Sequence, residues 1–254
     1  MLNRLGNKTK IAHKIYQFFP KHDVYMELFF GAGGMYFNKP KAQYNFLNDL
    51  DDDVYNLFRQ LIENKDELIK WMQLVPITER QFKEWTKGKQ IEHLPVLKAI
   101  RFLFVSNYGL YGKPNTLRIG PTSPRDAIIR ELENAFYYLS DAYFFNCDFR
   151  EFFRKCDYKK VKGKTFAYAD PPYLSTDNNY MQGFTEQDSL DLFNLLESSG
   201  IRWAMSEFGH PFILEQVKQR GLNVITIGER KNLLNKRTEI LITNYKNTTT
   251  FFNL

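Results

Sequence analysis

The chain has 254 residues, of which 43% are hydrophobic and 25% are charged, and its formal net charge is +6. This composition excludes a wholly disordered chain, and the length is enough to bury a full core without disulfides. No apolar run approaches the roughly 20 residues that a membrane span needs, so no membrane partner is expected. The two cysteines, Cys147 and Cys156, lack the CxxC spacing of a zinc site and fit a reducing, cytoplasmic location.

The first part of the chain alternates predicted strands and helices. Residues 24–29 form a short apolar strand that runs into the turn Phe30-Gly31-Ala32-Gly33-Gly34. A second strand, residues 44–47, ends in Asn48-Asp49. The aspartates at 51–53 indicate a capped helix start. Apolar side chains then share one helix face at Val54, Leu57, Phe58, Leu61 and Ile62.

The middle of the chain, residues 64–141, is dominated by helical patterns, with Leu97, Ile100 and Phe104 on one face. Residues 106–124 are rich in Gly, Pro, Asn and Tyr, and loops of this length are usually functional. Residues 80–164 carry 17 Lys and Arg against 9 Asp and Glu. That surplus is typical of a protein with a polyanionic partner, although a solvated lysine face explains it equally well.

The strand and helix alternation then returns. Thr185 is predicted to cap a helix. The simplest architecture is α/β, with a mostly parallel, Rossmann-like sheet, helices on both faces and a helical insertion. We predict one domain from residues 1–63 and 142–254, with residues 64–141 as the insertion. Further strands are predicted over residues 143–146, 165–169, 203–206, 223–227 and 239–245.

The glycine-rich turn is the first group of residues that indicates chemistry. A strand that runs into such a turn brings backbone amides close to a ligand at the carboxyl edge of a sheet. Asp49 ends the next strand, where a carboxylate can bind ribose hydroxyls. A dinucleotide site would have a third glycine where this chain has Tyr36. The pattern indicates a cofactor that contains a nucleoside, or simply a tight turn between strand and helix.

The second group is Asp170-Pro171-Pro172-Tyr173, directly after the predicted strand 165–169. Two prolines at a strand end remove backbone donors and fix the chain geometry. They would hold a carboxylate, a free carbonyl and an aromatic ring together, which suits a flat group that carries an NH₂. The alternative is a proline turn with an incidental acid.

Asp170-Pro171-Pro172-Tyr173 after the Phe-x-Gly-x-Gly segment at Phe29 resembles the signature of alpha-class, Dam-like S-adenosylmethionine-dependent DNA adenine-N6 methyltransferases. The motif order, with a helical insertion between the two motifs, also resembles that family. The chain departs from it at Arg4, near which the family often has an aromatic residue, and at Asn7, where the family has a glycine. Weaker resemblances lie in residues 5–8, 106–112 and 239–245.

The resemblance implies methyl transfer to adenine N6 without a covalent intermediate. It implies that Asp170 and the Pro171 carbonyl accept the two N6 hydrogens, with Pro172 and Tyr173 completing the catalytic motif and Tyr173 stacking on a flipped base. It also implies a methyltransferase sheet in which the insertion recognises the target. The residues implied for S-adenosylmethionine are Arg4, Lys8, Glu27, Phe30, Gly31, Gly33, Asp49, Asp148, Phe149 and Asp170. Asp148 is equally well explained as a helix N-cap.

Double-stranded DNA is the expected partner, with a cognate restriction endonuclease that shares the site as a further possibility. Candidate phosphate contacts are Arg101, Lys113, Arg125 and Arg130, and candidate base contacts are Asn115 and Arg118. No metal ion is expected, because the four histidines lack ligand spacing. Two alternatives stay open: the same chemistry on RNA or a protein glutamine, and a catalytically silent nucleic-acid-binding module.

Overall fold

The computed structural model describes residues 7–87, 94–109, 116–117, 124–174, 183–231 and 236–246. Its centre is one seven-stranded sheet. The strands are β1 (Val24–Glu27), β2 (Tyr44–Asn48), β3 (Ala142–Phe145), β4 (Thr165–Ala169), β5 (Arg202–Phe208), β6 (Asn223–Lys231) and β7 (Lys236–Thr243).

The sheet order is β3-β2-β1-β4-β5-β7-β6. The five strands from β3 to β5 are parallel, whereas β7 runs antiparallel to both β5 and β6. The predicted mostly parallel α/β sheet is therefore confirmed. The chain moves from β1 toward one edge through β2 and β3, and β4 then lies on the other side of β1. Such a reversal leaves a crevice at the carboxyl ends of the two central strands, where ligands bind in open α/β sheets.

Helices cover the sheet and link its strands. Asp51 caps α2 by accepting the Asp53 and Val54 amides, and Thr185 forms a capping box with Asp188 at the start of α8, as predicted. The helices are α1 (Ala12–Tyr16), α2 (Asp52–Glu63), α3 (Lys65–Leu74), α4 (Glu79–Thr86), α5 (Pro95–Tyr108), α6 (Arg125–Leu139), α7 (Phe149–Lys155), α8 (Glu186–Ser199) and α9 (Pro211–Gln219), with 3₁₀ turns at Tyr36–Asn38 and Lys159–Lys164.

Two hydrophobic cores lie on opposite faces of the sheet. Successive side chains of a strand point to opposite faces, and β4 follows this rule. Phe166 and Tyr168 pack into the core that includes α1–α6, whereas Ala167 and Ala169 pack into the core that includes α7–α9. Helices on both faces are thus confirmed.

The predicted insertion adds helices α3–α6 to one of these two cores. Leu68, Phe82, Phe104 and Leu132, one from each helix, belong to the same cluster as Phe58 of α2. The segment therefore extends the helical layer over the sheet, and the boundary at residues 64–141 stays a prediction. A single antiparallel bridge joins Gly109 to Leu117 just beyond α5.

Several strand ends differ from the predicted ones. β1 ends at Glu27 rather than residue 29. Beyond it, the Leu28 amide donates to the Tyr168 carbonyl of β4 at 3.1 Å, and the Phe30 amide donates to the Asn48 carbonyl of β2 at 2.8 Å. β6 continues to Lys231 and β7 begins at Lys236, since backbone pairing between them carries on through charged residues. The alternation of hydrophobic residues ends before these charged residues, so it does not predict the extension of the two strands.

Candidate active site

The loops after β1 and β4 meet at the crevice between these two strands. The first loop is the glycine turn, residues 30–34, and the second begins with Asp170. Gly31 and Gly33 have φ angles of +53° and +69°, which L side chains rarely adopt. A Cβ at Gly33 would stand 2.8 Å from the Phe30 ring, but at Gly31 no atom of the described residues lies within 4 Å of that position. The turn is therefore packed on one side and open on the other.

Asp49 joins the glycine turn to the loop after β2. Its carboxylate accepts the amide of Gly31 through Oδ2 and the amide of Asp51 through Oδ1, the latter at 2.9 Å. A carboxylate can accept more than two hydrogen bonds. Its predicted contact with a ribose stays a prediction that this geometry allows.

Glu27 is the last residue of β1 and is 1% exposed. Its Oε2 accepts the hydroxyl of Tyr25 at 2.7 Å, and the ammonium of Lys39 lies 3.7 Å from the centroid of the Tyr25 ring. Burial raises the pKa of Glu27 and lowers the pKa of Lys39. Glu27 is thus a buried group at the end of β1, and its predicted contact with a cofactor would require it to become accessible.

Lys8 reaches the site because the N-terminal segment crosses the glycine turn. A Cβ at Gly34 would stand 2.8 Å from the Lys8 amide nitrogen, so only glycine allows this close approach. The Lys8 ammonium is buried, 2.7 Å from Asp170 Oδ1 and 3.3 Å from Glu239 Oε1. The resemblance implied a cofactor contact for Lys8, whereas the structure places it against the predicted catalytic carboxylate.

Tyr173 completes this cluster. Its hydroxyl lies 2.9 Å from Asp170 Oδ1 and 2.7 Å from Glu239 Oε1, so it can donate to either carboxylate. The edge-on ring of Phe208 and the ammonium of Lys8 lie 4.5 and 4.7 Å from the Tyr173 ring centroid. The ring is 8% exposed, so stacking on a base, which stays a prediction, would require part of this packing to open.

Burial dominates the electrostatics around Asp170. It raises the pKa of Asp170, and the neighbouring Lys8 ammonium opposes that rise. On the adjacent strand, burial raises the pKa of Glu207 to about 9. The Oε1 atom of Glu207 accepts the amide of Leu174, the residue that follows the Asp170-to-Tyr173 segment, at 3.3 Å. The segment is therefore held by polar contacts on both of its sides.

Asp148 caps α7, which confirms the N-cap interpretation. It accepts the amide of Arg150 at 2.8 Å, and the Arg150 guanidinium also contacts Asp188 and Asp191 of α8. Next to this cap, the Phe149 ring lies 5.4 Å from the Phe29 ring and 6.1 Å from the Phe184 ring. These rings form an apolar cluster beside the glycine turn, and the contact of Asp148 and Phe149 with a cofactor adenine stays a prediction.

The predicted DNA contacts divide into three groups. Arg130 is exposed on α6, and Arg101 is half-buried on α5. The guanidinium of Arg125 donates to the Val75 carbonyl and so ties α6 to the end of α3. The third group, Lys113, Asn115 and Arg118, lies outside the described residues, as does Arg4, which was predicted to bind the cofactor.

Glu239, Glu207 and Lys39 were missed by sequence reasoning. Each is 2% exposed or less, yet each carries an ionisable group. The sequence signal that could have identified them is a charged residue within or beside an apolar run, such as Glu239 before Ile240-Leu241-Ile242.

In the described ranges, no three His, Cys, Asp or Glu side chains are grouped to hold a metal ion. None of the described helices is both long and apolar enough to cross a membrane.

A model of the D12 class N6 adenine-specific DNA methyltransferase family matches residues 5–241. Modification methylase StsI of Streptococcus sanguinis is 24% identical to the chain, over all of the chain but 43% of StsI. Type II methyltransferase M1.LlaDCHI of Lactococcus lactis subsp. cremoris is 26% identical, over 95% of the chain and 93% of that protein. The chain thus spans less than half the length of the first relative and nearly all of the second.

An rRNA methylase structure from Streptococcus thermophilus resembles the chain more weakly. The two share 8% identity with a TM-score of 0.41, over 93% of this chain and 95% of that one. Such a likeness is too distant to indicate a substrate.

Proposed function

Since the chain belongs to the D12 class N6 adenine-specific DNA methyltransferase family, we propose that it transfers a methyl group from S-adenosylmethionine to adenine N6 in duplex DNA. The observation that carries this proposal is the placement of Asp170-Pro171-Pro172-Tyr173 beside the glycine turn at the carboxyl ends of β4 and β1. Both motifs lie at the crevice where an α/β sheet of this topology binds ligands.

Asp170 has the central chemical role. The N6 lone pair of adenine is conjugated into the ring, so N6 is a weak nucleophile that becomes cationic as it bonds to carbon. Acceptance of its two hydrogens by the Asp170 carboxylate and the Pro171 carbonyl favours a pyramidal nitrogen and stabilises the positive charge. Pro172 holds these acceptors in place because its ring restricts the backbone. No covalent intermediate with the protein is required.

The residues around the glycine turn fit S-adenosylmethionine, which supplies an electrophilic methyl group. No atom of the described residues fills the space at Gly31, where a ligand would lie against the backbone. Asp49, which accepts the Gly31 amide, would accept hydrogen bonds from the ribose hydroxyls. We assign the turn from Phe30 to Gly33 to the methionine end. Asp148 and Phe149 are assigned to the adenine. These residues bind and orient, and in-line placement then contributes much of the rate.

DNA recognition is proposed for the insertion, residues 64–141. Arg101 and Arg130 of the described residues would contact phosphates, together with Lys113, while Asn115 and Arg118 would read base edges. The target adenine is inaccessible within a duplex and must be flipped out before transfer. Because the relative M1.LlaDCHI is named a type II methyltransferase, a cognate restriction endonuclease that shares the site is proposed as a partner.

The test combines purified protein, methyl-labelled S-adenosylmethionine and plasmid DNA from a methylation-free host, followed by digestion to nucleosides. Label in N6-methyladenine is the expected result. Cofactor binding without label in DNA would overturn the proposal and direct the search to RNA or protein substrates. A protein that does not bind the cofactor would instead be a silent nucleic-acid-binding module.

A further inference from the structure

Glu239 belongs to none of the motifs that carry the proposed function, yet it reaches the centre of the site. It lies on the antiparallel strand β7, paired with Phe208 of β5, and is 1% exposed. Its Oε1 lies 2.7 Å from the Tyr173 hydroxyl and 3.3 Å from the Lys8 ammonium. Both of these groups also contact Asp170, so Glu239 and Asp170 compete for the same two donors.

The charges in this cluster make the competition important. The Lys8 ammonium lies within ion-pair distance of both Asp170 and Glu239, in a largely buried cluster where electrostatic interactions are strong. Asp170 needs negative charge on an accessible oxygen to accept a hydrogen from a nitrogen that becomes cationic. If Asp170 were the only carboxylate partner of Lys8, the ion pair would neutralise the charge that the reaction requires.

We propose that Glu239 is a positioning residue. When the target nitrogen reaches Asp170, Glu239 accepts the hydrogen bonds of Lys8 and of the Tyr173 hydroxyl in place of Asp170. The inference rests on the proposed function, because it assigns Glu239 a part in that same reaction. Both donors already lie within reach of Glu239, so their transfer from Asp170 changes existing contacts and requires no new neighbour. Asp170 then keeps its charge for N6, while Lys8 keeps a carboxylate partner throughout.

The first test is Glu239→Gln, which keeps the size of the side chain and removes its charge. We expect the single-turnover rate of methyl transfer to fall about 10- to 100-fold, the usual effect of losing one hydrogen bond to a charged group. The Kd values for S-adenosylmethionine and for duplex DNA should change little. Glu197→Gln is the matched control, since it removes a carboxylate that also pairs with a cation, Arg220, but lies in the last turn of α8 and outside the site. Its transfer rate should match that of the wild type.

A double variant separates positioning from a structural role. Lys8→Met leaves two carboxylates without their shared ammonium, and Glu239→Gln added to it removes the repulsion between these two charges. We therefore expect the double variant to transfer methyl groups at least as fast as Lys8→Met alone. Residues that act independently would instead give losses that multiply.

Three results would overturn the inference. They are a wild-type rate in Glu239→Gln, an equal loss in Glu197→Gln, or a multiplied loss in the double variant. If Glu239→Gln does not fold, as judged by its thermal unfolding, Glu239→Asp takes its place, because it keeps the charge but withdraws the carboxylate from Lys8 and Tyr173; a wild-type transfer rate in that variant would overturn the inference. A wild-type protein that methylates no adenine overturns both proposals, whereas an active wild type with an unaffected Glu239→Gln overturns this inference alone.

Discussion

The free energy of unfolding should fall less steeply with rising pH in Glu207→Gln than in the wild type. The Glu207 side chain is 2% exposed on β5, and its Oε1 accepts the Leu174 amide. Burial, assisted by the nearby charge of Asp170, raises the pKa of Glu207 from the ordinary value of 4.5 to about 9. The side chain is therefore protonated at neutral pH in the folded protein and ionised in the unfolded chain.

The difference in proton binding sets the sign and the size of the effect. The stability that this group contributes is fully present below pH 4.5 and is lost as the pH rises through about 9, since the folded state binds the extra proton in between. One pH unit in that window corresponds to about 1.4 kcal/mol. Between about pH 6 and pH 8, the wild type should lose about 2.7 kcal/mol relative to Glu207→Gln, which does not titrate.

Urea denaturation followed by circular dichroism at both pH values measures this difference. Comparison of the two proteins cancels the contributions of all other titrating groups. Glu215→Gln is the control, because Glu215 is exposed on α9 and its replacement should leave the pH dependence of the wild type unchanged. Parallel pH dependences for wild type and Glu207→Gln would mean that Glu207 is ionised in the folded protein, which would refute the reasoning.

Three further predictions concern the site and the insertion. Asp170→Ala should abolish methyl transfer in the labelled-cofactor assay and leave DNA binding largely intact, so full activity in this variant would refute the mechanism. Gly33→Ala should lower the thermal stability and weaken cofactor binding, because its φ angle and the adjacent aromatic ring leave no room for a Cβ, whereas Gly163→Ala, in open space, should do neither. Affinity for duplex DNA should fall with salt at a log–log slope of about −0.9 per phosphate contact. Arg130→Ala should reduce that slope by about 1, whereas Arg125→Ala should mainly reduce stability; a flat salt response would argue against duplex DNA.

The sequence predicted features whose causes are local in the chain. The run at residues 165–169 contains only residues that suit a buried strand, and β4 has those bounds. Thr185 stands before acidic residues and an apolar periodicity, and it caps α8. Asp170 and its prolines were identified as a site because the motif itself carries the required groups. Strand alternation, helix periodicity and caps depend on neighbours within a few residues, so they can be inferred without the fold.

The sequence did not predict contacts between residues that are far apart in the chain. Arg125 resembles any other basic residue of the insertion, but the packing of α6 against the end of α3 directs its guanidinium to a backbone carbonyl. β6 and β7 extend past the apolar pattern because each supplies hydrogen-bond partners to the other. Such effects depend on which elements become neighbours, and the local pattern does not contain that information.

The candidate site combines local sequence features with contacts between distant residues in one cluster of side chains. The sequence by itself determined that Asp170 and Tyr173 follow a buried strand, and that a glycine turn follows another. Only the tertiary structure decided that Lys8 and Glu239 meet them, since these residues come from opposite ends of the chain. The crossing at Gly34 brings in Lys8, and the antiparallel insertion of β7 beside β5 brings in Glu239. Burial there favours the pairing of their charges, and that burial exists only once the sheet has assembled.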